Sequence, residues 1–222
     1  MIPPRSAFTR QERRIIERLR TPAAVQRYLN ELPYNTEPPP GRATLRSFRG
    51  VVRHRTAHCL EAALAAAVIL EQHGYPPLVL SFESIDELDH VLFVFRGRRG
   101  WGSVARSRDP GLHGRKPVFA TPRALALSYV DPYVDFQGRV IGYAVADLRM
   151  LDDYDWRLSE RNVWKVERML LDLPHRRIHS SDRRIDALRK RYRAFMQKHG
   201  RKPFEYYRGR DRWTEIPPEF HG

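Results

Sequence analysis

Apolar positions recur at helical spacing from the start of the chain. Ile15, Ile16 and Leu19 share one face of the stretch from Arg10 to Leu19, which predicts a basic amphipathic helix. Thr21-Pro22 opens a second. Threonine can cap it, and proline suits the first turn, where its missing N–H is harmless. Ala24, Val25, Tyr28 and Leu29 continue the pattern until Pro33 ends it. Residues 37–41 hold three consecutive prolines and read as a loop.

The next segment changes character. A helix is expected to open around Thr56-Ala57-His58-Cys59-Leu60-Glu61, to run to about His73 and to stop at Gly74. Its middle, Ala62 to Leu70, is apolar on nearly every face, so it must be buried all round. Strand-like runs follow at Leu78 to Phe82, Val91 to Phe95 and Trp101 to Ala105, the last two pairing as a hairpin. Thr121-Pro122 begins another helix through about Tyr129, and Val140 to Val145 reads as one more strand. Beyond residue 150, helices are expected over Asp155 to Leu173 and over Ser181 to His199. The second is strongly basic, with Ile185, Leu188, Tyr192 and Phe195 as a narrow apolar stripe. The expected fold class is α+β, with a central helix packed on an antiparallel sheet. The expected division is a core with N-terminal helices over residues 1–150 and a basic helical extension over residues 151–222.

A chain of 222 residues suits one sizeable domain, or one with an appendage. The longest apolar run, Leu60 to Leu70, contains Glu61 and falls short of the roughly 20 residues that span a bilayer. The segment Met1-Ile2-Pro3-Pro4-Arg5 lacks the apolar stretch of a secretion signal, so a cytoplasmic protein is expected. The net charge of +14 points to an anionic partner such as nucleic acid, a membrane surface or an acidic protein. The basic residues, mostly arginine, are spread along the whole chain, which favours a generally arginine-covered surface over a dedicated anionic partner. The helix around Arg183 to Arg193 could meet phosphates, and Phe204, Tyr206, Tyr207 and Trp213 in the tail could stack on bases. No recognisable nucleic-acid fold signature accompanies them.

The chain has one cysteine, so no internal disulfide can form. Cys59 is either a small buried packing residue or a nucleophile. Its setting favours the second. The order is a cysteine at the start of a buried helix, then a histidine beginning a strand, then an aspartate past the hairpin. His90 follows Cys59 by 31 positions, and Asp109 follows His90 by 19. A thiol attacks only once ionised; a helix N-terminus and a nearby imidazolium both favour the thiolate. A third polar group must then hold the imidazole in one tautomer. His54, His58 and Cys59 also offer metal-ligand spacing, but Arg53 and Arg55 would repel a cation. No metal or cofactor is expected.

These residues resemble the transglutaminase-like superfamily, relatives of papain-like enzymes. The matching features are His58-Cys59-Leu60-Glu61-Ala62-Ala63-Leu64, His73-Gly74-Tyr75-Pro76, Asp89-His90-Val91-Leu92-Phe93-Val94-Phe95 and the strand start Gly100-Trp101-Gly102-Ser103. The resemblance covers roughly Thr21 to Leu148 and is greatest to bacterial transglutaminase-like proteins of unassigned substrate. It implies Cys59 as nucleophile, His90 as base and Asp109 as orienter. Two positions depart from the family: His58 stands where an acidic residue usually precedes the cysteine, and the Trp101 strand carries no acid. Ser103 and Ser107 are weaker orienters, and Tyr34 or Arg55 are candidates beside an oxyanion hole.

The resemblance thus implies an acyl-enzyme mechanism on an amide or ester, with a protein or peptide substrate. Water as acceptor gives a hydrolase; an amine gives an acyl transferase. The alternative reading is a catalytically inactive basic module that binds nucleic acid or another polyanion.

Overall fold

The computed structural model describes residues 2–37, 42–86, 90–108, 110–134 and 137–199. Asp89, Asp109 and the tail residues Phe204, Tyr206, Tyr207 and Trp213 lie outside the described residues. Those described form a mixed α/β structure with seven α-helices and a six-stranded antiparallel sheet. The helices are α1 (Arg10–Arg18), α2 (Pro22–Glu31), α3 (Phe48–His54), α4 (Cys59–Glu71), α5 (Pro122–Leu127), α6 (Trp164–Leu171) and α7 (Asp182–His199). The strands are β1 (Leu78–Ser84), β2 (Val91–Gly97), β3 (Gly100–Val104), β4 (Arg115–Phe119), β5 (Val140–Asp147) and β6 (Arg176–Arg177). Their order across the sheet is β4-β3-β2-β1-β5-β6.

Helix α4 is the organising element. Every residue from Leu60 to Glu71 is buried. One face of the sheet, through Val79, Val91, Phe93 and Phe95, meets α4 and the helices around it. The other face, through Leu80, Phe82, Leu92 and Val94, is covered by Leu125, Ala126, Tyr129 and Val130. The central strands are therefore buried on both sides, which is why β1 and β2 read as continuous apolar runs rather than alternating ones. The run of small residues along α4 lets the helix lie close against the sheet.

Side-chain caps set four helix starts, two of them, at Thr21 and Thr121, expected from the sequence. Thr9, Thr21, Ser47 and Thr121 each accept a hydrogen bond from a backbone N–H in the first turn of the helix that follows. Gly74, at φ +85, turns the chain out of α4. Gly97 and Gly100 pair across the β2–β3 hairpin, and Gly100 has φ +144 where a Cβ would collide with the Phe119 carbonyl.

Three elements lie outside the pattern-based reading, and one differs from it. Helix α3, edge strand β4 with Pro117 in it, and two-residue β6 had no apolar periodicity to reveal them. Over residues 155–163, where a helix was expected, the chain makes turns instead. The Asp155 carboxylate accepts from the N–H groups of Arg157 and Leu158, and the Ser159 hydroxyl accepts from Arg161 N–H. Such local bonds compete with helix formation. They also leave Trp156 fully buried.

Past residue 150 the chain returns to the body of the protein. Trp156, Val163, Val166 and Leu170 join the core around α4, and β6 pairs with β5. Arg157 forms a two-pronged ion pair with Glu71 at the end of α4, both bonds 2.7 Å and both side chains almost wholly buried. Among the described residues, no helix is long and apolar enough to cross a membrane.

Candidate active site

Cys59 is the first residue of α4 and lines a cavity of about 900 Å³. The cavity opens where β1 ends and β2 begins, with Ser81, Glu83 and His90 in its wall. Residues 34–37 with Ala43 and Thr44 line one side; Trp164, Glu167 and His175 form part of another.

The start of α4 is tied down by Glu61, which is fully buried. Its carboxylate accepts from the His58 N–H at 3.1 Å, the Arg46 N–H at 3.0 Å, the Thr44 hydroxyl at 3.0 Å and the Asn35 amide at 3.1 Å. A glutamate three residues after the cap is the capping-box spacing. Here it also ties down Asn35 and Thr44 in the cavity wall.

His58 and His90 both hydrogen-bond the Cys59 side chain. The Nε2 of His58 lies 2.9 Å from the Thr44 carbonyl. A carbonyl only accepts, so Nε2 carries the hydrogen. Burial alone would drive His58 toward neutrality. Its bond to Cys59, the charge of that sulfur, Glu61 and the Thr44 carbonyl outweigh burial and raise its pKa to about 9. Burial likewise opposes ionisation of the Cys59 thiol. The hydrogen bonds and charges of His58 and His90 overcome it and hold the thiol well below its usual range.

His90 is buried immediately before β2. Its ring stacks parallel to Phe82, centroids 6.4 Å apart, and leans on Tyr129 at 6.2 Å. Its Nε2 bonds the Leu112 carbonyl at 2.9 Å. Nε2 is therefore the protonated nitrogen, and Nδ1 is left to meet the sulfur. Leu112 ends a short 3-10 turn between β3 and β4.

The structure thus brings Cys59 and His90 together. Asp109 lies outside the described residues. Ser103 is engaged elsewhere: its hydroxyl bonds the Tyr129 hydroxyl at 2.6 Å and accepts from the Arg115 N–H at 2.9 Å. The Ser107 carbonyl accepts from Arg106 at 2.7 Å, and Ser107 lines the cavity. Asp86 also lines the cavity and accepts from the Ser84 hydroxyl. Arg55 is exposed in the left-handed cap of α3, at φ 57, and is not in the cavity wall. Among the described residues, no three His, Cys, Asp or Glu side chains gather as metal ligands.

Tyr34 does line the cavity, and its hydroxyl bonds the Cys59 backbone. Burial, then the neighbouring Cys59 charge, pushes its pKa upward, so it stays protonated. The Arg106 and Arg108 guanidinium groups both stand 5.9 Å from its ring centroid.

Two parts of this arrangement escaped the sequence. His58 registered as a departure from a family pattern and as a possible metal ligand, not as a partner of the thiol, and Leu112 acts through its main chain, which carries no residue signature.

No protein-family model matches the chain, and no curated protein matches it. Among solved structures, one described as Legionella pneumophila LapG (EGTA-treated) is similar over 65% of this chain and 82% of that chain, with 14% identity and a TM-score of 0.37.

Proposed function

We propose that this protein is a cysteine-dependent hydrolase or acyl transferase of transglutaminase-like type, acting on an amide or ester through Cys59 and His90. One observation carries the reading. The only cysteine of the chain sits at a helix N-terminus in the wall of a large cavity, with its thiol held toward the ionised form by two imidazoles. A thiol with only a packing role has no need of that environment.

In this mechanism the Cys59 thiol gives its proton to His90 Nδ1, the thiolate attacks the substrate carbonyl carbon, and the carbonyl π electrons move onto oxygen. The Tyr34 hydroxyl, which accepts from the Cys59 N–H, donates to that oxyanion. Collapse re-forms the carbonyl and breaks the bond to the leaving group, which takes its proton from His90 Nδ1. A thioester on Cys59 remains. Water or an amine then attacks it, His90 Nδ1 accepts the proton released, and the thiolate departs. His58 stays beside the sulfur throughout as a charged partner.

The binding-module reading draws on the net charge and on the poorly matched third residue, with the basic α7 as a candidate for meeting phosphates. Two arginines of that helix turn back onto the protein instead: Arg184 bonds the buried Asp131 carboxylate, and Arg189 donates to the Gln137 carbonyl.

The test is mass spectrometry after incubation with an activated ester such as p-nitrophenyl acetate. The expected result is one acetyl group on Cys59, formed in a burst and absent from Cys59→Ala. Acetylation confined to surface lysines, or a thiol that ionises near the ordinary value of about 8.5, would overturn the reading.

A further inference from the structure

A backbone carbonyl can orient a catalytic histidine only as well as its own turn is fixed. The turn that carries Leu112 is fixed from beneath by Arg115, the first residue of β4, which is 3% exposed. Its Nη1 donates to the His113 carbonyl at 2.7 Å, and its Nη2 to the Gly111 carbonyl at 2.7 Å. These are the carbonyls on either side of Leu112. With both drawn onto the guanidinium, the Leu112 carbonyl between them is the one that faces His90.

Arg115 is itself held on several sides. Its guanidinium lies over the Tyr129 ring, 4.1 Å from the centroid. Its N–H donates to Ser103, and Nη2 also reaches the Ser128 carbonyl at 3.4 Å. The Tyr129 hydroxyl donates to the His113 carbonyl at 2.9 Å, so it supports the same turn. The opposite side of that network touches His90 through the Tyr129 ring. Burying a guanidinium is costly, and well-packed apolar residues serve stability as well or better. A planar fork that grips two carbonyls at fixed angles serves geometry, and lysine cannot replace it.

We infer that Arg115 is a positioning residue for the Cys59–His90 pair, aiming His90 by clamping the carbonyls that flank Leu112. The inference rests on the thiol mechanism proposed above. Arg115 touches neither the sulfur nor a substrate; it acts through the turn, with Tyr129 as its second support. The titratable groups around His90 are Cys59 on one side and Tyr129 and His113 on the other; the Arg115 charge acts on the last two, and Arg115→Lys keeps that charge while removing the fork.

The experiment is the pH dependence of Cys59 alkylation by iodoacetamide in wild type, His90→Ala, Arg115→Lys, Arg115→Met, Tyr129→Phe and the double variant His90→Ala/Arg115→Met. Both Arg115 variants should move the thiolate midpoint upward by about one pH unit, toward the His90→Ala value. Tyr129→Phe should move it in the same direction by less. The double variant should match His90→Ala alone, because a clamp has nothing to aim once the ring is gone. If the Arg115 variants do not fold, Tyr129→Phe with and without His90→Ala carries the same comparison. A midpoint that responds to His90→Ala but not to Arg115 or Tyr129 changes, or shifts that simply add, would overturn the inference alone. A wild-type profile indifferent to His90→Ala would overturn the Cys–His pair, and the inference with it.

Discussion

His90 Nε2 donates to the Leu112 carbonyl at 2.9 Å. A main-chain oxygen therefore selects the tautomer of this ring and turns Nδ1 toward Cys59. The rest of the site follows from that single bond, because a base aimed away from the thiol could neither hold its charge nor return a proton to a leaving group.

Tyr34→Phe should lower kcat on an activated ester by on the order of 100-fold and leave KM nearly unchanged. The hydroxyl is a donor to charge that develops only in the transition state. Steady-state kinetics checks this. A change in KM alone would assign Tyr34 to substrate binding.

His58 predicts an upper pH limit. Its folded pKa, raised to about 9 from 6.5, means that its attraction to the thiolate stabilises the fold fully below about 6.5 and is lost as pH rises through 9. The depressed thiol has the opposite sign: its share is present above the unfolded thiol pKa and disappears as pH falls through the folded one. Urea midpoints of wild type and His58→Gln should therefore converge between about pH 7 and pH 10. A constant gap across that range would contradict the ion pair.

Glu61→Ala should cost about 3 kcal/mol, because it takes a fully buried carboxylate from four donors at once. For a chain of this size that is a fall in Tm on the order of 10 °C, readable by calorimetry. Loss of iodoacetamide reactivity should accompany it, since the same residue fixes His58.

Arg157→Ala should cost about 3 to 5 kcal/mol by leaving Glu71 charged and buried. Replacing both partners, as in Glu71→Leu with Arg157→Met, should recover most of that. Chemical denaturation of the three variants decides it; a double variant as weak as the single would point to lost packing instead.

Much of the fold was legible because α4 and the central strands declare burial in their composition. Cys59 and His90 were legible because each stands at the start of an apolar element. The remainder had no comparable signal. Helix α3 and strand β4 are too short and mixed for periodicity. The Asp155 and Ser159 side chains quietly redirect a stretch with helical spacing into turns. Arg115 looks like any of the many arginines on a basic surface, and only its burial distinguishes it. The Leu112 carbonyl is common to every residue type, so no reading of side chains could have found it.

Helix α4 is buried from its first turn to its last. Its amides should exchange with solvent only when the whole molecule opens, which would place it in the slowest-exchanging unit of the chain. The nucleophile thus rides on the last element to come apart. Gradual heating should leave the reacting thiol intact until the entire structure melts, and inactivation and unfolding should trace one curve.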